Sequence, residues 1–320
     1  MVERLGPPLP APIFEELAII GVGLIGSSIA RAARRRHAAR RIVLADRSVD
    51  ALERAKALSL GDAVTDDPAR AVRDADCVII CAPVGVYEAI GRAIAPALRP
   101  GAIVSDVGSV KGAVIAALQP ALPAHASLVP AHPVAGTEQS GPDAGFASLF
   151  INRWCILTPP EGTDEEAVAK VRAFWEALGS HVETMSAGHH DLVLAITSHV
   201  PHLIAYNLVG AAADLEEVTQ SEVIKFSAGG FRDSTRIAAS DPTMWRDVFL
   251  HNKDAVLEML GRFNEDLTAL QRMIRRSDGD GLFRLFTRTR AIRLGIVAEG
   301  QDTAAPDFGR HAADADEPSP

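Results

Sequence analysis

Leu17-Ala18-Ile19-Ile20-Gly21-Val22-Gly23-Leu24-Ile25-Gly26-Ser27-Ser28 is the stretch that decides the fold. A short apolar run opens onto glycines spaced G-x-G-x-x-G. An Ala- and Arg-rich stretch of helical composition follows, from Leu24 to His37. Each glycine has a physical task in a strand–turn–helix cradle for a pyrophosphate. Gly21 permits the tight turn, Gly23 lets the backbone approach the anion, and Gly26 lets the helix pack close to the strand. The helix start, with Leu24 and Ile25, adds unpaired N–H groups and a partial positive charge to the same cofactor-binding loop.

Outward from this unit, further apolar runs lie at 41–46, 76–83, 101–107, 126–133, 153–160 and 181–185. Helical patterns at 49–58, 86–98, 110–118 and 165–178 separate them. The runs are continuous rather than alternating, which predicts strands buried on both faces. The expected fold class is therefore α/β, a Rossmann-like, doubly wound, mostly parallel sheet. After Gly188 no stretch reads as a strand. Helical patterns at 191–215, 218–226, 243–274 and 281–297 predict an all-helical second domain. The layout read from the sequence is a leader at 1–16, a nucleotide-binding domain at 17–187, a helical domain at 188–300 and a disordered tail at 301–320.

Composition narrows the function classes. The 320 residues carry 32 Lys and Arg against 41 Asp and Glu, a net charge of −9, so a broad nucleic-acid footprint is not expected. With 48% hydrophobic residues, the chain can bury two cores. Three cysteines make no disulfide framework and read as reduced thiols of a cytoplasmic protein. No targeting segment is visible at the start. The stretch 191–215 is apolar on nearly every face, yet Ser198, His199, Pro201, His202 and Asn207 lie in its middle. That argues against a membrane span and for a helix buried in a core or between subunits.

The second strand ends in Asp46, twenty residues past Gly26. A carboxylate there accepts hydrogen bonds from ribose hydroxyls and repels a 2′-phosphate, so NAD is favoured; Arg47, next in sequence, keeps NADP open. Ala82-Pro83 ends the 76–83 run, where a nicotinamide ribose would lie. Ser109, in Ser105–Lys111, follows the next strand, and His132 and Pro133 close the one after it. Three strand ends thus aim polar residues at one crevice. A neutral imidazole suits proton transfer as a hydroxyl-bearing carbon gives up a hydride. Ser109 would donate or accept a second hydrogen bond to the same oxygen, or cap the helix at 110–118. His189-His190 reads as an interdomain turn. His199 and His202 share a helix face, without a carboxylate at metal-binding spacing, so no metal is expected.

Five motifs, GVGLIGSS, SDVGSVK, AHPVAGTEQSG, SHVPHLIA and GFRDSTRIAASDPTMWRDVF, occur in order between about Leu17 and Val297. In this the chain resembles the prephenate/arogenate dehydrogenase (TyrA-type) family. The resemblance implies a Rossmann domain joined to an all-helical dimerisation domain, a homodimer, and oxidation of prephenate or arogenate on the route to tyrosine. It implies that His132 and Ser109 hold the substrate 4-hydroxyl, with His132 as the catalytic group. Arg236 would bind a substrate carboxylate, and His202 would help position the ring. Lys111 would lie near the site. Glu138 and Asp233 match positions near its entrance, and Trp245 one that lines it across the dimer. Arg suits the carboxylate because its rigid fork matches that geometry. Tyrosine, if it inhibits, is expected to compete at the active site, since only 23 residues follow Val297. Two other readings stay open at this point: a β-hydroxyacid-type dehydrogenase, and a non-catalytic NAD-binding regulatory protein.

Overall fold

The computed structural model describes residues 11–137, 139–219 and 228–298. The first half alternates strand and helix: β1 (Phe14–Ile20), α1 (Leu24–Arg36), β2 (Ala39–Ala45), α2 (Val49–Ala57), β3 (Ala63–Thr65), α3 (Pro68–Ala71), β4 (Cys77–Ile80), α4 (Tyr87–Ile94), β5 (Ile103–Asp106), α5 (Lys111–Leu118) and β6 (Ser127–Leu128). These six strands form one wholly parallel sheet in the order β3-β2-β1-β4-β5-β6. The order reverses between β1 and β4, so the crevice for a ligand opens at their carboxyl ends.

Successive residues of each strand enter opposite layers, as the continuous apolar runs require. Leu17, Ile19, Ile42, Leu44, Cys77 and Ile79 pack with Ile29 and Ala33 of α1 on one face. Phe174 and Trp175 close that layer. Ala18, Ile20, Val43, Ala45, Val78 and Ile80 pack with Tyr87 and Ile94 of α4, and Val114 and Leu118 of α5, on the other.

Two expectations need correction here. The leader does not extend to residue 16, because β1 starts at Phe14, which is buried and pairs with Ala39. Glu15 and Glu16 read as loop, but Arg40 and Arg41 on the neighbouring strand neutralise them. The run 126–133 is also not one strand. Pro130 and Pro133 lack the N–H that a ladder needs, and the chain leaves β5 at Pro130. It then joins a second sheet of β7 (Ala131–Pro133), β8 (Trp154–Leu157) and β9 (His181–Thr184), in that order. β7 and β8 are antiparallel, and β8 and β9 parallel, linked by α6 (Glu165–Ala177).

Beyond β9 the described residues form helices and no strand: α7 (Ala187–Leu194), a π-helical turn at Ala195–His199, α8 (Val200–Thr219), α9 (Gly229–Thr235), α10 (Pro242–His251), α11 (Lys253–Arg275) and α12 (Gly279–Ala298). The expected helix at 243–274 breaks at Asn252. Most of the expected helix at 218–226, and the tail, lie outside the described residues. By tertiary contact the chain divides after Val256, and the expected boundary at 187 falls where α7 begins. His190 and Asp191 of α7 are hydrogen-bonded to His132, Lys111 and Gly112 of the nucleotide-binding half, Asn252 is bonded to Asp191, and Trp245 and Val248 of α10 pack with Val110.

Candidate active site

The glycine cradle has the geometry that its task demands. Gly21 has φ +100°, and a Cβ there would lie 2.6 Å from the Cys81 carbonyl oxygen. A Cβ on Gly26 would lie 2.0 Å from the Gly21 carbonyl oxygen, so α1 can approach the turn only without one. Gly23 is open, with nothing within 4 Å of a built Cβ. No side chain caps α1, which leaves its first N–H groups to an anion. Leu24 is buried and Ile25 half-buried beneath this surface. Asp46 has a second task that the spacing did not reveal. Its Oδ2 accepts the Val22 N–H at 2.7 Å and its Oδ1 the Ser48 N–H at 2.9 Å, so it fixes the glycine turn itself. Each oxygen retains a lone pair for a ribose hydroxyl. Arg47 is exposed, and Ala82 and Pro83 border the cradle beyond β4. An open glycine, an uncapped helix start and an anchored carboxylate together fit a dinucleotide.

His132 stands on β7 and is 7% exposed. Its Nδ1 lies 2.8 Å from Nε2 of His190, whose Nδ1 lies 2.8 Å from Oδ1 of Asp191. Asp191 in turn accepts the backbone N–H groups of Lys111 at 2.7 Å and Gly112 at 2.9 Å. It therefore caps α5 from 80 residues away, and Ser109 does not: the N-cap position is Val110, without a side-chain cap. Burial pushes the His132 imidazole well below its ordinary value, and nearby His190, Lys111 and His199 push it further. Burial lowers His190 more than its bond to Asp191 raises it. Burial alone would raise Asp191, but the His190, Lys111 and Gly112 hydrogen bonds prevail and hold the carboxyl low. The cluster at neutral pH is thus one carboxylate and neutral imidazoles.

Lys111 was expected near the substrate, yet its side chain is fully buried. Its Nζ donates to Asp106 Oδ2 at 2.6 Å and to the Ala131 carbonyl at 2.6 Å. Burial lowers its pKa, and Asp106 opposes that. Its place is behind β7, holding the backbone that carries His132. The chain beyond His132 returns to the cradle: the Phe146 N–H donates to Ser28 Oγ at 3.1 Å, and Asp143 pairs with Arg54 of α2 at 2.8 Å.

The helical half contributes a second group. The π turn carries His199, which is fully buried. Asn252 Nδ2 donates to the Asp191 carbonyl at 2.8 Å and faces His199 Nδ1 at 3.1 Å. His199 Nε2 then bears the proton, and the Ser109 backbone lies near enough to favour that N–H, although no full hydrogen bond forms to it among the described residues. Burial drives the His199 pKa down to about 4. His202 stacks on Trp245 with ring centroids 3.5 Å apart, and Trp245 Nε1 is buried without a hydrogen-bond partner among the described residues. Burial lowers the His202 pKa, and the charge of Arg236, which lies near it, lowers it further. Ser109 is half-buried in the turn between β5 and α5. Asp233 is exposed on α9, with its carboxylate 3.9 Å from Arg232. Trp245 meets His202 of its own chain. Glu138 lies outside the described residues. Sequence reading missed His190, Asp191 and Asn252. A His-Asp pair just ahead of an apolar helix was the one available signal.

A glycine cradle at the carboxyl edge of one parallel sheet, with a buried neutral imidazole on the first strand of the sheet that follows it, defines a dinucleotide-dependent dehydrogenase. Comparison with known proteins sharpens that class. Residues 29–184 match the prephenate dehydrogenase nucleotide-binding domain, and residues 186–288 match the prephenate dehydrogenase dimerization domain. The chain is 47% identical over 287 residues to the cyclohexadienyl dehydrogenase of Zymomonas mobilis, covering 90% of this chain and 98% of that one. A crystal structure of Aquifex aeolicus prephenate dehydrogenase with hydroxyphenyl propionate and NAD+ is similar at TM-score 0.83 and 34% identity, covering 88% and 98% of the two chains. The Synechocystis arogenate dehydrogenase structure is similar at TM-score 0.74 and 29% identity, covering 87% and 98%. The chain belongs to the prephenate dehydrogenase family.

Proposed function

We infer that this chain carries out the NAD-dependent oxidative decarboxylation of prephenate, of arogenate, or of both, in tyrosine biosynthesis. The carrying observation is His132, buried and neutral at the strand ends, on a chain whose next turns dock against the helix that opens the glycine cradle. NAD, when bound in that cradle, supplies the hydride acceptor. As the substrate ring carbon that bears the hydroxyl loses its hydride, His132 takes the hydroxyl proton and Ser109 shares a hydrogen bond to the same oxygen. The ring carboxylate then leaves as carbon dioxide, and its bonding pair makes the ring aromatic. The phenolate oxygen recovers the proton from His132. The products are 4-hydroxyphenylpyruvate from prephenate and tyrosine from arogenate.

The remaining residues bind and exclude water. Arg236 offers a planar fork to a substrate carboxylate, and His202, held flat on Trp245, borders the ring. Lys111 acts through the backbone of β7 rather than on substrate. Asp233 and Glu138 are assigned to the entrance by family resemblance. Tyrosine, which resembles the product, would compete for the same pocket.

The protein works as a homodimer in this reading. Ile196 (45% exposed) and Val209 (40%) lie on the apolar helices after β9, and Phe283 (73%) and Phe286 (56%) on α12. Such surface suits a subunit interface. The helix span 187–214 is apolar and long enough to cross a membrane by composition, but His190 and Asp191 bond it to the nucleotide-binding half. We place the protein in the cytoplasm, where its free cysteines stay reduced. Initial rates of NADH formation with prephenate and arogenate, each with NAD and NADP, test the function. Turnover of at least one substrate with NAD is expected, and none with either overturns the reading. Sedimentation of the full chain at the monomer mass would remove the dimer.

A further inference from the structure

We propose that His190 and Asp191 are positioning residues that fix the tautomer of His132, so that its Nε2 carries the lone pair toward substrate. This rests on reading His132 as the proton acceptor. Asp191 meets donors at every contact: Lys111 N at 2.7 Å, Gly112 N at 2.9 Å and His190 Nδ1 at 2.8 Å. An acceptor on all sides is an ionised carboxylate, so His190 Nδ1 carries a proton. A neutral imidazole has one N–H, so His190 Nε2 holds a lone pair. His132 Nδ1, 2.8 Å away, must donate to it. By the same rule the free pair of His132 lies on Nε2. The opposite tautomer of His132 would set two lone pairs face to face across that gap, in a buried site where an unmade hydrogen bond is costly.

The chain has a direction, and the direction serves the chemistry. When the hydroxyl proton arrives at Nε2, the new imidazolium keeps its Nδ1–H on the His190 lone pair. His190 keeps its own Nδ1–H on the carboxylate. The positive charge is stabilised across two hydrogen bonds while no proton moves along them, and the proton on Nε2 remains available for return to the phenolate oxygen. The same carboxylate caps α5, the helix that follows Ser109, and the Asp191 carbonyl is held by Asn252. The ring orientation of His132 is therefore anchored to both halves of the site. His190 and Asp191 need touch neither substrate nor cofactor to do this.

The test uses the full chain with NAD and two variants, His190→Leu and His190→Gln. The Leu side chain removes the acceptor, whereas the Gln amide oxygen can accept the same N–H. Nitrogen-15 NMR of the histidine side chains, with His132 assigned by its loss in His132→Asn, reads the tautomer directly. We expect the wild type to show His132 protonated at Nδ1 at neutral pH. His190→Leu should lose that signature and about 10- to 100-fold in kcat, as outer-shell partners of reactive imidazoles do. Its KM should stay within about threefold, because substrate binding is not what changes. His190→Gln should recover both the signature and most of the rate. A wild-type His132 protonated at Nε2 overturns the proposal, as does unchanged kcat in His190→Leu, or a Gln variant no better than Leu. If the Leu variant does not fold, the wild-type tautomer and the Gln variant still decide. If the wild type turns over neither substrate, the functional reading falls, while the NMR result still settles the tautomer.

Discussion

Asp46 binds the glycine turn and the β2–α2 turn with one carboxylate, and we assign it to the cofactor ribose as well. Asp46→Ser should therefore weaken NAD more than one lost ribose contact suggests. We expect the apparent KM for NAD to rise at least about tenfold, equal to about 1.4 kcal/mol, while NADP is used relatively better because the repelling charge is gone. Initial rates with both cofactors check this; an unchanged ratio would contradict it. Lys111 makes a contrasting case. Lys111→Ala leaves Asp106 charged and buried, with the Gly108 and Ala131 N–H groups as its remaining partners. The expected loss is about 3–5 kcal/mol of stability. Denaturant unfolding should show it, and a variant of full stability with a raised substrate KM would return Lys111 to the binding surface. At this scale the strand–turn–helix placement of the glycines and of Asp46 beside them was legible, because it follows from spacing along one chain segment. The role of Asp191 was not. Its partners Lys111 and Gly112 lie 80 and 79 positions away, and only folding brings them together.

Elements built from long apolar runs were read well, since β1, β2, β4 and β5 each bury both faces. Those that failed did so for local reasons. β3 is three residues long, at the sheet edge, and carries too little pattern to detect. The run 126–133 looks uniform, but its two prolines divide it between sheets. The pattern at 243–274 is helical throughout, yet Asn252 leaves the helix and turns its amide to Asp191 and His199. The π turn at Ala195–His199 likewise leaves no mark in an apolar helix. Both irregularities deliver a polar side chain to the site, which is where local rules are expected to yield.

Across the whole molecule, the buried neutral histidines couple stability to pH. His199 titrates at about 4 when folded, against an ordinary value of 6.5. Between those values the unfolded chain binds more protons, so stability rises with pH through this window. The contribution is fully present above about 6.5 and is lost as pH falls toward about 4. For this one residue it is on the order of 3 kcal/mol, and the lowered pKa values of His132 and His190 act in the same direction. The melting temperature should therefore fall between pH 7 and pH 4.5, and His199→Gln should flatten that fall. A wild-type melting temperature constant over the range would contradict the buried, neutral cluster.

The central claim is that His132 accepts the substrate proton beside a dinucleotide held by the glycine cradle. Comparing His132→Asn with wild type, by initial rates of NADH formation and by NAD binding on the same preparations, tests it most directly. The account predicts that kcat falls by about 10²- to 10⁴-fold while the dissociation constant for NAD is unchanged. A variant that keeps kcat within about threefold of wild type, a barrier change under 1 kcal/mol, would contradict it.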